Sequence, residues 1–252
     1  MPISARTRLG MAALAVATGA STPAMAEWRG WNIHVEDYPV SIALDAFTRM
    51  IAERTDGRIT AQNYHGGVLG SQPDAIEQVR LGAIEFGEFN LGPMGPVVPA
   101  TNVVSLPFVF DNVEHMHKVM DGEIGDEISA AMAEQGIVAL AWYDSGARSF
   151  YNSQHPIETP ADLDGMKVRV MNNDLFVGMI EALGGNATPM AFAEVYQSLQ
   201  TGVVDGAENN WPSYESTGHF EVAGYYSLSE HLISPECVCI NADLWNALPA
   251  ED

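Results

Sequence analysis

The segment GARSFYNSQHPIETPADLDGMKVRV (residues 146–170) and the later segment TPMAFAEVYQSLQTGVVDGAENN (residues 188–210) together decide the predicted fold. They alternate strands with helices, and small or polar residues stand where the strands end. They also contain Arg148, Lys167 and Arg169, the only basic residues after Lys118 in a chain with 33 Asp and Glu. Because ligands of open α/β sheets bind at strand ends, these few cations predict a pocket for an anion.

The residues on either side continue the same alternation. Strands are predicted at 30–35, 58–64, 83–89, 137–143, 148–151, 167–170, 203–207 and 225–231, and helices at 41–54, 71–82, 123–135, 173–183, 193–200 and 212–219, with one more beginning at residue 112. Short links between such elements are typical of an α/β fold in which helices cover a parallel sheet. Asp144-Ser145-Gly146 breaks the pattern and is a candidate crossing between two domains.

Charge and length exclude several classes of protein. The chain has 252 residues, enough for one or two domains, and a formal net charge of −22. So acidic a chain has no electrostatic attraction for nucleic acid or for an anionic membrane surface, and we expect neither as a partner. The overall charge does not identify the ligand, because local groups dominate a desolvated site.

The first 26 residues have the pattern of an export signal. Arg6 and Arg8 precede an apolar run from Leu9 to Ala20, and Ala24-Met25-Ala26 has the form of a cleavage site. No later apolar run approaches the roughly 20 residues of a spanning helix. We therefore expect a signal peptide at 1–26 and a soluble protein in the periplasm.

Known catalytic and metal-binding motifs are absent from the sequence. It contains no GxSxG elbow, no HExxH and no GxGxxG after a strand, so we expect no enzyme, no metal and no cofactor. Cys237 and Cys239 would face the same side of a strand, where a bridge over so short a separation would be strained. They are predicted to be two buried free thiols.

Several polar and aromatic residues at predicted strand ends could form a binding site. Arg169 alternates with apolar neighbours, and its planar guanidinium suits a carboxylate; a salt bridge to one of the many acids is the alternative. Arg148 has the same two interpretations. Asn209 follows a strand and either binds the ligand or caps a turn. Phe192 and Trp211 either line the cleft or pack in the core.

Five motifs, in this order and spacing, resemble the solute-binding proteins of tripartite ATP-independent periplasmic (TRAP) transporters, the DctP-like family. They are LGSQPDAIEQVRLGAIEF (69–86), LPFVF (106–110), DLDGMKVRV (162–170), PMAFAEVYQSLQTGVVDGAEN (189–209) and PECVCIN (235–241). The resemblance implies a periplasmic-binding-protein-like fold, with two α/β domains joined by crossing strands and a ligand cleft between them. Domain I would comprise 27–144 with 235–252 returning to it, and domain II 145–234.

The resemblance also assigns roles to residues. It implies that Arg169 is the principal carboxylate clamp, that Arg148 adds a second cation and Asn209 a hydrogen bond, and that Phe192 forms a wall of the cleft. The first domain would offer polar contacts at its predicted strand and helix ends, from His34, Gln72 and Asn90. Family members usually continue for tens of residues beyond LPAED, so a C-terminal helical portion is expected to be missing.

The predicted function is capture of a small organic acid and its delivery to the TRAP membrane permease subunits, by a monomer. The polar and aromatic stretch AENNWPSYESTGHFEVAGYY (207–226), which includes Trp211, favours a sugar acid such as a uronate over a plain dicarboxylate. A periplasmic enzyme acting on a sugar acid and a receptor subunit for a sensor are the alternatives. Whether Glu208 or another acid holds a cation in the cleft is left open.

Overall fold

The computed structural model describes residues 26–252, so the predicted signal peptide lies outside the described residues apart from Ala26. The strands are β1 (Ala26–Trp31), β2 (Ile59–Tyr64), β3 (Phe86–Asn90), β4 (Ile137–Asn152), β5 (Lys167–Val170), β6 (Asn186–Pro189), β7 (Gly206–Asn210) and β8 (Tyr225–Asn241). The α-helices are α1 (Pro39–Arg54), α2 (Gln72–Arg80), α3 (Val113–Met120), α4 (Glu123–Glu134), α5 (Asp174–Ala182), α6 (Val195–Gln200), α7 (Trp211–Ser216) and α8 (Ala242–Ala247).

The strands form one sheet in the order β2-β1-β3-β8-β4-β7-β5-β6. Neighbours are parallel at both ends of the sheet, where β1 pairs with β2 and β3, and β5 pairs with β6 and β7. The central pairs β3–β8, β8–β4 and β4–β7 are antiparallel. The prediction of an α/β fold is therefore confirmed, but the sheet is mixed rather than parallel throughout.

Two long strands, β4 and β8, cross the middle of the sheet and belong to both halves. The sequence predicted two short strands at 137–143 and 148–151, separated by Asp144-Ser145-Gly146; in the structure β4 runs through all of them. The pairing of β4 with β8 shifts register between Asp144 and Ala147, and Gly146 has a φ of +75°. The supposed break is thus an irregularity within a strand, at a backbone angle that glycine adopts readily.

The hydrophobic core divides along these two strands. Clusters around Phe89 and Phe86 contain the start of β4 and the end of β8, whereas clusters around Phe176 and Tyr151 contain the opposite strand ends. On β8 the division falls between Leu232 and Ile233. The two α/β halves therefore have separate cores. The domain boundary at 144 and 145 stays a prediction because it falls within an unbroken strand.

The prediction of free thiols at Cys237 and Cys239 was wrong. Their Cα atoms are 5.7 Å apart on β8, and the structure joins the two residues in a disulfide. Both side chains point to the same face of the strand, as expected from their spacing, and both are buried in the core cluster around Phe89. The Cα separation lies within the usual range for a disulfide, although only one residue stands between the two cysteines.

Candidate ligand-binding site

A cleft lies between the two halves of the molecule, and its empty space, including the part open to solvent, is about 540 Å³. The residues around it come from both halves and from the crossing strands: Ile33, His34, Gln72, Pro73, Asn90, Pro93, Ser145, Arg148, Arg169, Met171, Asn172, Ala191, Phe192, Asn209, Asn210, Ser213 and Glu236. The structure thus brings together seven of the eight residues predicted from the sequence.

Arg169 supplies a buried cation with no carboxylate partner. It lies on β5 between the buried side chains of Val168 and Val170, and only 3% of its surface is exposed. Its Nε and Nη2 atoms donate to the carbonyl of Met190, at 3.1 and 2.8 Å. No described carboxylate forms a salt bridge with it, and burial lowers its pKa to about 10. The Nη1 group and one N–H of Nη2 therefore stay available to an anion in the cleft.

Arg148 is largely occupied by the protein itself. From β4 it forms a fork with the carboxylate of Glu208 on β7, with Nε to Oε2 at 2.6 Å and Nη2 to Oε1 at 2.8 Å. Burial raises the pKa of Glu208, but the charge and hydrogen bonds of Arg148, together with His231, outweigh it and lower that pKa to about 2. Of the two interpretations of Arg148, a ligand clamp or a salt bridge, the structure shows the salt bridge. A single N–H of Nη1 is left for a ligand.

Asn209 is oriented by the Arg148–Glu208 pair. Its Oδ1 accepts hydrogen bonds from Arg148 Nη1 at 2.8 Å and from the backbone N–H of Asn210 at 2.9 Å. With the oxygen fixed in this way, the Nδ2 amino group has no acceptor among the described residues. Since Asn209 lines the cleft, this amino group is a donor available to a ligand.

The first half contributes an acceptor and a fixed strand end. Gln72, at the first turn of α2, donates from Nε2 to the carbonyl of Asn90 at 2.7 Å, and its Oε1 has no donor within the described chain. Asn90 ends β3, and its Oδ1 accepts from Gly92 N and from Ser234 Oγ. Asn90 is therefore occupied by the protein, whereas Gln72 presents a free carbonyl oxygen to the cleft.

His34 and Phe192 face each other across the cleft. The ring of His34 stacks on Tyr38 with centroids 3.7 Å apart, and its centroid lies 5.8 Å from that of Phe192. Burial and the charge of Arg148 lower the pKa of His34 to about 3, so its imidazole is neutral at physiological pH. The guanidinium carbon of Arg169 lies 5.9 Å from the Phe192 ring centroid. The Phe192 ring thus provides apolar surface beside the cation.

Trp211 does not reach the cleft. It is the first residue of α7, is 58% exposed, and packs against Tyr214 and Tyr226 on the outside of the molecule. The preceding Asn210 caps the helix through Ser213 N, and the turn points Trp211 away.

Sequence reasoning missed two cleft-lining residues on the crossing strands, Ser145 and Glu236. Their only signal was their position on strands whose course was not predicted. Tyr38 was missed as well: its hydroxyl lies 2.9 Å from Asn210 Nδ2 and 3.1 Å from Ser213 Oγ. It connects the start of α1 to β7 and α7 beside the cleft.

Residues 26–252 contain no group of three or more His, Cys, Asp and Glu side chains that could hold a metal ion. None of the helices in that range has the length and apolar character needed to cross a membrane.

The fold is a mixed α/β sheet whose long central strands join two cores, and a polar cleft lies between the cores. These features define a solute-binding protein of the periplasmic type. Residues 32–252 match the model of the DctP family, described as bacterial extracellular solute-binding protein, family 7. Because the match includes most of the chain, the protein belongs to that family. The resemblance to TRAP solute-binding proteins is thereby confirmed.

Three relatives illustrate the relationship. A TRAP periplasmic solute-binding protein from Roseobacter denitrificans, solved with bound β-D-glucuronate, is 70% identical with a TM-score of 0.88, covering 89% of this chain and 74% of its own. A counterpart from Sulfitobacter sp. NAS-14.1, solved with bound β-D-galacturonate, is 68% identical with a TM-score of 0.88, covering 89% and 75%. A solute-binding protein from Chromohalobacter salexigens is 57% identical over 99% of this chain and 74% of its own length.

The chain spans only part of the length of its relatives. It matches 62–65% of the length of four further relatives that are 35–38% identical to it.

Proposed function

We propose that the protein captures a sugar acid, most simply a hexuronate such as D-glucuronate or D-galacturonate, and delivers it to a TRAP membrane permease. The observation that carries the proposal is Arg169: a buried guanidinium that faces the cleft, has no carboxylate partner and retains free N–H groups. A buried charge is normally paired, and a ligand carboxylate would supply the missing partner.

The other groups in the cleft favour a ligand with several hydroxyls. Asn209 offers an amide donor, Gln72 a carbonyl acceptor and His34 a neutral imidazole. Within residues 26–252, the Asn209 amino group, the Gln72 side-chain oxygen and the His34 ring nitrogens have no hydrogen-bond partner. A plain dicarboxylate has no hydroxyl to satisfy such groups, whereas a uronate has several. The uronates bound to the Roseobacter and Sulfitobacter proteins support the same choice.

The mechanism is binding without chemistry. The anion enters the open cleft, Arg169 pairs with its carboxylate, and the two halves close about β4 and β8 by a hinge motion. Closure removes water and strengthens the ion pair. The closed protein is then the form that the permease recognises. In this account the protein acts in the periplasm as a monomer, after export by its N-terminal signal.

The proposal is tested by calorimetric titration with D-glucuronate, D-galacturonate and succinate, followed by recovery of the bound compound. Binding of a uronate with a Kd at least about ten-fold below that of succinate, with the uronate recovered unchanged, is expected. Tighter binding of succinate would contradict the sugar-acid assignment. Conversion of the uronate to a product would instead support an enzyme.

A further inference from the structure

Buried oxygen atoms without hydrogen-bond partners are concentrated at one wall of the cleft. Among the described residues, six buried side-chain atoms lack a partner, and three of them are Glu88 Oε1, Ser145 Oγ and Glu236 Oε2. Buried polar atoms are normally satisfied, so such a group calls for an external partner. Glu236 and Ser145 line the cleft directly, whereas Glu88 lies behind them.

The sheet register places Glu88 and Glu236 together. Asn90 on β3 is opposite Glu236 on β8, and Glu88 is opposite Val238, so both glutamates project from the same face. The Oδ1 of Asn90 is fixed by two donors, and its Nδ2 therefore donates to Glu236 Oε1, at 3.2 Å. The other oxygen of Glu236 is left without a partner from the protein.

The two carboxyls do not carry two full charges. Burial raises the pKa of Glu88 well above its ordinary value, and the neighbouring Glu236 raises it further. Burial also raises the pKa of Glu236, but the hydrogen bond from Asn90 and the charge of Arg148 oppose it. Glu88 therefore holds a proton more readily than Glu236 does.

The titratable and charged groups nearest this pair are Tyr38, Tyr143 and Arg148. Burial raises the pKa of both tyrosines; Glu236 and Glu88 raise that of Tyr38 further, and Glu88 raises that of Tyr143. The two phenols are therefore neutral at physiological pH, and Arg148 is already forked to Glu208. No described cation is thus free to neutralise Glu236.

Glu236 and Arg169 face the same cleft from different strands. In the sheet order β8-β4-β7-β5 two strands lie between theirs, and both residues line the cleft. A ligand with its carboxylate on Arg169 therefore presents its far end toward Glu236.

Building on the proposed function, we propose that Glu236 determines specificity. Its free Oε2 accepts a hydrogen bond from a ligand hydroxyl, and its charge rejects ligands that carry a second carboxylate at that end. A hydroxyl satisfies the orphaned oxygen, whereas a carboxylate would bring two like charges together in a buried site. Discrimination would then come from repulsion as well as from attraction. The premise of this assignment is that the cleft binds sugar acids through Arg169.

The test is Glu236→Gln, titrated with D-glucuronate and with the dicarboxylate D-glucarate. The variant keeps the shape of the side chain but loses its charge and one acceptor oxygen. We expect the Kd for D-glucuronate to rise at least about ten-fold and the preference for D-glucuronate over D-glucarate to shrink. Glu85→Gln is the matched control, because Glu85 pairs with Arg29 away from the cleft; it should leave both values unchanged.

A structure of the unmodified protein with D-glucuronate provides a readout that needs no variant to fold. A sugar hydroxyl within about 3.2 Å of Glu236 Oε2 is expected. A water molecule alone at that oxygen, or Glu236→Gln with unchanged affinity and preference, would overturn the assignment while leaving the proposed function intact. Failure of the unmodified protein to bind D-glucuronate, or equal binding by Arg169→Ala, would contradict the proposed function itself.

Discussion

Arg169 donates two hydrogen bonds to one carbonyl oxygen, that of Met190, with Nε at 3.1 Å and Nη2 at 2.8 Å. Met190 follows β6, the parallel neighbour of β5, so the backbone itself sets the direction of the guanidinium. A carbonyl supplies only a partial charge, and the cation is therefore positioned without being neutralised. The unliganded protein keeps a charged group whose partner has to come from outside.

This arrangement predicts that Arg169→Met separates stability from binding. Burial lowers the pKa of Arg169 to about 10, which corresponds to a cost on the order of 3 kcal/mol for burying the charge. Methionine loses the two hydrogen bonds but removes that cost. We expect urea denaturation of the unliganded variant to give an unfolding free energy equal to or above that of the unmodified protein, while uronate binding is lost. Marked destabilisation of the unliganded variant would contradict the assignment of an unpaired cation.

The buried pair of Arg148 and Glu208 should behave in the opposite way. Arg148→Met leaves the carboxylate of Glu208 without its cation, and breaking a buried ion pair costs about 3–5 kcal/mol. For a chain of this size, that loss lowers the melting temperature by roughly 6–20 °C. The double variant Arg148→Met/Glu208→Gln should recover part of it. Thermal unfolding of the two variants checks this, and a shift below about 2 °C for Arg148→Met would argue against a structural role.

Tyr38 is predicted to stabilise the closed cleft. Its hydroxyl contacts Asn210 Nδ2 and Ser213 Oγ, linking the start of α1 to β7 and α7. Tyr38→Phe removes these two contacts, together worth about 1–3 kcal/mol, so the Kd for D-glucuronate should rise about five- to 150-fold in calorimetry. Tyr64→Phe is the control, because that hydroxyl donates only to Gln62 on the exposed surface. Equal affinities in the two variants would rule out this role.

Buried His219 should make stability depend on pH. Burial and the charge of Arg169 lower its pKa to about 4. His219 is therefore protonated near pH 6.5 in the unfolded state but only near pH 4 in the folded state. The stability that neutral His219 contributes is lost as the pH falls from 6.5 to 4. The cost approaches about 1.4 kcal/mol per pH unit.

Comparison with a variant is needed, because Glu88 titrates in the opposite sense. Its raised pKa gives a contribution that is present below pH 4.5 and lost as the pH rises. His219→Gln should flatten the fall in unfolding free energy between pH 6.5 and 4, whereas the exposed His155→Gln should not. Urea denaturation at several pH values measures both slopes, and parallel slopes for all three proteins would refute the prediction.

Local sequence signals located the elements that hold the site. The strand Lys167–Val170 was predicted with its observed bounds, because apolar residues flank Arg169 on both sides. A helix was predicted to begin at Ser71; α2 begins one residue later, and the Ser71 hydroxyl donates to Asp74 at 2.6 Å. Such signals act within a few residues and can be read without knowledge of the fold.

Features that depend on pairing between strands distant in sequence could not be predicted from local signals. β4 and β8 are continuous because each pairs with the other over most of its length, and this pairing overrides the loop-like composition of Asp144-Ser145-Gly146. For the same reason Glu236 could not be placed in the cleft. Trp211 was placed there because it follows Asn209 in sequence, but the start of α7 turns its side chain outward.

Calorimetric titration of D-glucuronate into the unmodified protein, Arg169→Ala and the control Arg49→Ala tests the central claim most directly. Arg49 is exposed on α1 and interacts only with Glu53 among the described residues. If Arg169 binds the ligand carboxylate, its removal should cost 2 kcal/mol or more, a rise in Kd of at least about thirty-fold, while Arg49→Ala binds as the unmodified protein does. Equal affinity of Arg169→Ala and the unmodified protein for D-glucuronate would contradict the account.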